Sequence, residues 1–453
     1  MTGSQAHQIK NQAFRPSLTL IPLASLSSSK KRQKQTKFSK KSKYFKLKNN
    51  MLGGLKGLQS LPQKKYTNFN KTLLSARYLS FLITELSAIL VTMKASTVKR
   101  FGILTSGGDA PGLNAAIRAV CRTGIQKYGM EAIGIHNGYR GLASGDAEEL
   151  NDENFSGILT RGGTILGTAR DKPFKNPEKD PKTGLFPVEA IKANYKKWNL
   201  DALVVLGGNG TQTTASLLAK EGLNIVGLPK TIDNDIVCTD MTFGFHTAMD
   251  VATESIDRLH TTAHSHNRVM VIEVMGHKAG WLALYSGIAG GADSIIIPEI
   301  PYKIESVAKK VMHRRDLGKQ FSIIVVAEGA LSIEESKLSK KELKEQRKSM
   351  PYSIAYRVAH ELEQATNLES RVTVLGYLQR GGTPSPYDRI LATQYGTAAA
   401  DFLAQGNFGK LVAIKKGNIT DVPLEKVAGK VKNIPEDHNL LQAGRSLGIN
   451  FGD

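Results

Sequence analysis

The sequence predicts an α/β protein: two similar lobes with doubly wound, mainly parallel sheets and an active site in the cleft between them. Three observations predict it. From Val98 onward, short apolar runs alternate with stretches of helical periodicity. The apolar runs are continuous rather than alternating, which marks strands covered on both faces of a parallel sheet. Glycine-rich turns follow strand after strand, at the carboxyl ends where such sheets bind ligands.

The elements follow in order. "RFGILTS" (100–106) reads as a strand, and "GLNAAIRAVCRTGIQKYG" (112–129) has helical spacing. "EAIGIH" (131–136), "DALVVLGG" (201–208) and "NIVGLPK" (224–230) read as strands, the last two separated by a helix opening at threonines. A helical run (242–262) leads to "RVMVIEVMG" (268–276), a helix (278–290), "DSIIIPE" (293–299), a helix (304–318) and "FSIIVVAEGA" (321–330). A long charged helical segment (334–366), "RVTVLGYLQRGG" (371–382) and a last helix (387–404) complete the pattern. This exceeds one comfortable core, hence two lobes.

The 453-residue chain carries 61 Lys and Arg against 40 acids. Residues 1–92 hold 17 of the bases and a single acid, Glu85, which leaves 44 bases and 39 acids in 93–453. The folded part is close to neutral, so the overall charge does not make it a nucleic-acid binder. The segment "KKRQKQTKFSKKSKYFKLK" (30–48) cannot bury a core and is expected to be disordered. "LSFLITELSAILVT" (79–92) is too short to span a bilayer. Three readings of this extension stand: a targeting peptide, a nucleic-acid or membrane-surface arm, or upstream sequence ahead of a start at Met93. The last is preferred, because the folded pattern begins directly after Met93. Cys121 and Cys238 have no metal-ligand spacing and suggest a reduced, cytoplasmic chain.

Five constellations carry chemistry. In "TSGGDAPGLNAAIR" (105–118), Gly107 and Gly108 let a phosphate approach backbone N–H groups beside a helix amino end. No Gly-Lys-Ser/Thr follows, so this is not a Walker loop; a tight strand–helix turn would explain the same residues. In "RGGTILGTARD" (161–171), Arg170 can clamp a phosphate or stack on a base. "LGGNGTQTT" (206–214) is a third glycine turn, with Asn209 where a metal-binding carboxylate would be expected. "PKTIDNDI" (229–236) places Asp233 and Asp235 two residues apart; in an extended segment both point the same way. One accepts a proton from a hydroxyl and the other orders a metal. The plain alternative is an Asp/Asn turn. Fifth come single polar residues at strand ends: Arg268, "EVMGHKAG" (273–280), Glu328, Arg371 and "GYLQRGG" (376–382), suited to a second anionic group.

These motifs, with "SHNRVMVIEVMG", "AEG" and "RVTVLGYLQRGGTPSPYDR", resemble the phosphofructokinase family in identity, order and spacing over about 98–405. The resemblance implies transfer of the ATP γ-phosphoryl group to the 1-hydroxyl of fructose 6-phosphate, a step of glycolysis, with Mg2+. By position, Asp233 is then the general base, supported by Thr231, Asp235 and Lys230. Gly108, Arg170, Asp171 and the turn Gly208, Asn209, Gly210, Thr211 line the donor site. Thr231, Asp233, Met275, Gly276, His277, Glu328, Tyr377 and Arg380 form the sugar site. Arg268 and Arg371 reach it from a neighbouring subunit of a homodimer or homotetramer. Residues 93–240 are expected as the donor lobe and 241–453 as the sugar lobe with its tail.

Four positions depart from the common bacterial form of the family: Asn209 for Asp, Lys230 for Gly, His277 for Arg and Tyr377 for His. Asn209 is the expected metal contact, weakened or water-mediated. Family members that use diphosphate carry an acid where Gly210 lies; Gly210 leaves that space open, which favours ATP. A diphosphate-dependent enzyme is the alternative. An NAD- or diacylglycerol-kinase-like protein, or an impaired regulatory protein binding nucleic acid through the basic extension, is more remote. His277 and Tyr377 imply weaker sugar-phosphate binding. His260 stands where the bacterial regulatory site often supplies an arginine, so no effector is carried over.

Overall fold

The computed structural model describes residues 96–453, except 176–177, 182 and 350–351; the readings of the basic extension lie outside the described residues. Among the described residues there are eleven strands: β1 (Arg100–Ser106), β2 (Glu131–Ile135), β3 (Ala147–Leu150), β4 (Ala202–Gly207), β5 (Ile225–Pro229), β6 (Val269–Val274), β7 (Ser294–Ile296), β8 (Ser322–Ala327), β9 (Ser370–Val374), β10 (Lys410–Lys415) and β11 (Asn418–Pro423). The principal helices are α1 (Leu113–Tyr128), α2 (Pro187–Lys197), α3 (Asn209–Lys220), α4 (Phe245–His266), α5 (Trp281–Ala289), α6 (Ile304–Asp316), α7 (Lys340–Ser349), α8 (Ile354–Thr366), α9 (Pro386–Gln405) and α10 (Asn439–Ser446).

Two sheets form within the compact unit Met93–Asp453. The first has seven strands in the order β11-β10-β5-β4-β1-β2-β3, parallel except for the β2–β3 and β10–β11 pairs. The second has four parallel strands, β7-β8-β6-β9. The lobes share an architecture, but their sheets differ in size.

Helices cover both faces of each sheet, which is why the strands read as unbroken apolar runs. On one face of the first sheet, Phe101, Ile103, Val204 and Val226 pack against Leu113, Ile117 and Val120 of α1 and Tyr395 of α9. On the other, Leu104, Leu203, Val205 and Ile225 meet Ile191 of α2 and Leu218 of α3. In the second sheet Met270, Ile272 and Val325 face Ala252 and Ile256 of α4, while Val271, Ile324 and Val326 face Val307 of α6 and Leu362 of α8. Each buried Val, Leu, Ile, Phe or Met among them contributes about 1.5–3 kcal/mol.

Three expectations need correction. Residue 240 does not divide the sheets: α9 packs on the first sheet, and β10 joins β5 in parallel register. The segment 334–366 is not one helix but three, Ile333–Ser336, α7 and α8. Ser332 caps the first, accepting from Glu335 N at 3.2 Å while the Glu335 carboxylate accepts from Ser332 N at 3.1 Å. The run 371–382 stops being a strand at Val374 and turns through Gly376–Gln379.

A buried carboxylate is one of the links between the lobes. Asp388, in the first turn of α9, accepts from Gly244 N at 2.9 Å, Thr247 N at 2.8 Å and the Thr247 hydroxyl at 2.6 Å. It caps the amino end of α4, which has no side-chain cap of its own. Among the described residues, no helix is long and apolar enough to cross a membrane.

Candidate active site

The glycine turns converge because β1, β4 and β5 are adjacent and parallel, so their carboxyl ends lie side by side. The first turn is tied to the segment 167–170. Gly107 N donates to Ala169 O at 2.9 Å, the Thr168 hydroxyl donates to Gly107 O at 2.7 Å, and the Thr105 hydroxyl donates to Gly167 O at 2.6 Å. Fully buried Asn114 anchors the "RGGT" loop: its amide donates to Arg161 O at 3.0 Å and accepts from Ile165 N at 2.8 Å. Two quoted motifs are thus one structural unit, and Asn114 serves its geometry.

A cleft of about 510 Å³ is lined by Gly108, Arg170, Asp171, Gly208, Asn209, Gly210, Thr211, Lys230, Thr231, Asp233 and Asp235 from the first lobe. The second lobe contributes Met275, His277, Glu328, Tyr377 and Arg380. Gly276 makes the turn between Met275 and His277; at φ +137 a Cβ would lie 2.9 Å from Ala279 O. Arg380 crosses between the lobes, donating to Asp109 O at 3.2 Å, with its Nε 3.2 Å from Met275 Sδ. It lies so close to Gly108 that a Cβ there would overlap the guanidinium.

Arg268 and Arg371 do not line this cleft. They sit at the amino end of the second sheet, and both pair with Glu369, Arg268 at 2.7 Å. Two cations that sequence reading did not single out, Lys172 and Lys278, do line it. His260, at the regulatory position, is held by Gly290 O at 2.6 Å. A second cavity of about 320 Å³ shares Asp171 and Lys172 with the cleft and has a mixed lining, apolar at Tyr139, Pro173 and Leu185 and charged at Arg140, Glu178, Lys179 and Asp180.

The segment carrying Asp233 is a turn rather than an extended strand: Asn234 is left-handed at φ +49. Asp233 N donates to Thr231 Oγ1 at 3.1 Å, Thr242 Oγ1 donates to Thr231 O at 2.7 Å, and Thr242 N donates to Asn234 Oδ1 at 3.1 Å. This crosslinked turn presents both carboxylates to the cleft. Burial, and then the like charge of Asp235, pushes the Asp233 carboxyl up to about 7. Burial and the Arg380 guanidinium bring the Lys230 ammonium down to about 7. Lys230 donates to Gly108 O, joining the first turn to the segment that carries Asp233.

Asn209 opens α3, and its amide donates to Asp235 Oδ2 at 2.6 Å and Asp235 O at 3.1 Å. Its own Oδ1, like Asp233 Oδ1, is buried with no hydrogen-bond partner among the described residues. Buried orphan oxygens beside a second carboxylate suit a hard cation or an incoming hydroxyl proton. No group of three or more His, Cys, Asp or Glu side chains among the described residues is arranged to hold a metal. Any ion here would therefore be held by few protein ligands.

The chain is similar to known proteins over this whole region. The family model "Phosphofructokinase" matches residues 100–403. A Spirochaeta thermophila protein named ATP-dependent 6-phosphofructokinase is 62% identical over 364 residues, 80% of this chain and 100% of that protein. ATP-dependent 6-phosphofructokinase 3 of Bacteroides thetaiotaomicron is 51% identical, over 78% and 100% of the two chains. The Pichia pastoris phosphofructokinase structure in the T-state superposes with a TM-score of 0.64 at 36% identity, covering 73% of this chain and 35% of that longer one. A pyrophosphate-dependent phosphofructokinase structure from Nitrosospira multiformis has a TM-score of 0.65 at 22% identity over 78% and 93% of the chains, a likeness of fold alone. With the motifs converging on one cleft and these relatives spanning the folded part, the chain belongs to the phosphofructokinase family.

Proposed function

We infer that this chain transfers the γ-phosphoryl group of ATP to the 1-hydroxyl of fructose 6-phosphate, giving fructose 1,6-bisphosphate and ADP. The observation that carries the reading is Asp233: a buried carboxylate with one oxygen unpartnered among the described residues, between the glycine turns of one lobe and Glu328 and Arg380 of the other. The sugar hydroxyl oxygen attacks the γ-phosphorus and forms the new O–P bond. The bond from that phosphorus to the β,γ-bridging oxygen breaks, and ADP leaves with the electron pair. The hydroxyl proton passes to Asp233, whose raised affinity for protons suits it to accept one near neutral pH.

The remaining residues align the reactants and neutralise charge, which is most of what phosphoryl transfer requires. Gly108 and Gly208–Thr211 offer backbone close to the donor phosphates, at the amino end of α3. Lys230, Arg170 and Lys172 supply positive charge there, and Asp171 borders the second cavity. Thr231 orients Asp233 through its backbone N–H. Asn209 Oδ1 and Asp235 would hold Mg2+, which when bound neutralises donor phosphate charge. On the acceptor side Glu328 takes sugar hydroxyl protons as hydrogen bonds, while Arg380, Tyr377, His277 and the Met275–Gly276 turn frame the sugar phosphate. The donor side thus comes from the first sheet and the sugar side from the second.

Gly210 favours ATP as donor. A Cβ there meets nothing within 4 Å, so the space an acidic residue would take stays open. The second cavity gives a nucleoside room beyond the phosphates. Relatives at 62% and 51% identity bear ATP-dependent names. Arg268 and Arg371 act across a subunit boundary, so the enzyme is a homodimer or homotetramer; a glycolytic reaction of this kind places it in the cytoplasm.

Steady-state assays of the full chain with ATP and with diphosphate, at equal Mg2+, test the donor. Asp233→Ser should lose about 10²–10⁴ in kcat while fructose 6-phosphate binding is retained. A near-normal kcat in that variant refutes the base assignment.

A further inference from the structure

We infer that Lys432 is a positioning residue for the catalytic segment, the pin by which the carboxyl-terminal strand of chain fixes residues 231–240. This rests on the phosphotransfer reading above and extends it to a residue that sequence motifs do not reach.

Lys432 lies far along the chain from Asp233, yet most of its hydrogen-bonding capacity is spent on that segment. Its Nζ donates to Asn234 Oδ1 at 3.0 Å, Asp240 O at 3.0 Å and Thr239 O at 3.2 Å, a full set of three acceptors for one ammonium. Its backbone N–H donates to Asp235 O at 2.8 Å. Asn234 is the left-handed residue between the two cleft carboxylates. Fixing its side chain fixes the turn that aims Asp233.

The far side of this pin is anchored in the other lobe. Trp281 Nε1, in the first turn of α5, donates to Lys432 O at 2.7 Å, and the ammonium lies 5.3 Å from the centre of the Trp281 ring. Two residues on, Ile434 N donates to Glu299 at 3.0 Å, and the same carboxylate accepts from Gly280 N. Residues 432–434 therefore bind the base-bearing turn to the start of α5, which follows the Met275–Gly276 turn of the sugar side. The spacing between base and acceptor hydroxyl is set through this strap. Lys432 does not line the cleft; it acts on the base-bearing turn through these bonds, and its charge is also felt at Asp235.

The test compares the wild-type full chain with Lys432→Met, Lys432→Arg and Trp281→Phe. It measures kcat and KM for ATP and fructose 6-phosphate, normalised to folded protein by circular dichroism. Misplacing the base by a fraction of an ångström to one ångström predicts that Lys432→Met loses about 10- to 100-fold in kcat, with both KM values within about threefold of wild type. Lys432→Arg, which keeps a cation and donors, should recover most of that loss. Trp281→Phe, which removes the indole N–H that holds Lys432 O and also shrinks the buried ring, should lower kcat severalfold. A merely structural role would lower the folded fraction and leave kcat per folded molecule unchanged; that result, or a Lys432→Met kcat within about twofold of wild type, overturns the inference. If Lys432→Met does not fold, Trp281→Phe and Lys432→Arg decide, and a Trp281→Phe kcat equal to wild type overturns it. Absence of turnover in the wild type refutes the phosphotransfer reading itself, and the inference with it; an active wild type with unaffected variants refutes the inference alone.

Discussion

Asn209→Asp turns one hydrogen bond into a charge conflict that a cation can resolve. In the native chain the Asn209 amide N–H donates to Asp235 Oδ2 at 2.6 Å, and its Oδ1 is buried with no partner among the described residues. In the variant two carboxylates meet at that place. At 2.6 Å and an effective dielectric constant of about 20, their repulsion reaches about 6 kcal/mol, and rotation apart to ~4 Å lowers it to about 4 kcal/mol. A divalent ion bridging the pair reverses the sign, because each carboxylate then faces two positive charges. Chelated of metal, the variant should therefore melt several degrees below wild type, since a unit the size of Met93–Asp453 loses about 1–2 °C per kcal/mol. Saturating Mg2+ should restore most of the loss, with a much larger Mg2+-induced shift than in wild type. The Mg2+ concentration giving half-maximal turnover should fall. Melts in EDTA and in Mg2+, with a Mg2+ titration of steady-state rate, measure all three. Equal melting temperatures in EDTA together with an unchanged Mg2+ requirement refute the Asn209–Asp235 pairing and Asn209 as a metal contact.

Other outcomes follow from the same geometry. Gly210→Asp should fold as wild type, because the site is open and the backbone is not left-handed there. It should lose ATP-dependent activity disproportionately to any activity with diphosphate, which parallel assays with the two donors would read. Lys230, brought down to about 7 by burial and Arg380, is only partly protonated in the free enzyme at neutral pH. Donor phosphates favour its charged form and raise its affinity for protons, so donor binding at pH 7–8 should take up protons. Calorimetry in buffers of different ionisation enthalpy should detect the uptake, and Lys230→Met should diminish it.

What the sequence discloses depends on where each element's neighbours come from. Central strands such as β4 and β8 are buried throughout, and their unbroken apolar runs announce them. The edge strands β3 and β11 are partly exposed and carry no such run, so "AEEL" and "NITDVP" pass as loop. The candidate site is legible where glycine, arginine and carboxylate cluster after a strand, and those residues do converge on one cleft. Three things are not legible. The Asn209–Asp235 bond needs two segments brought together by the sheet. Lys172, Lys278 and Lys432 look like any surface lysine until tertiary structure places them. The direction of Asp233 depends on the left-handed turn at Asn234, where a strand-like reading assumes alternation.

The pairing of β10 with β5 sets a timetable for how the protein is made. Residues 100–274 contain the glycine turns of the first lobe with Asp233 and Asp235, and they emerge from the ribosome before the rest of the folded part. β5 gains its outer neighbour only when Lys410 and Leu411 arrive to pair with Val226 and Gly227. Until α9 is synthesised, one face of the first sheet lacks Leu391, Tyr395 and Leu403, and the amino end of α4 lacks Asp388. The nascent chain therefore carries an open strand edge and an uncovered apolar face from the completion of β5 until α9 and β10 emerge, the condition under which chains aggregate or engage chaperones. Contacts this distant in sequence also close slowly. Neither lobe is a contiguous piece that can mature alone, so catalytic competence arrives late, and for both lobes together.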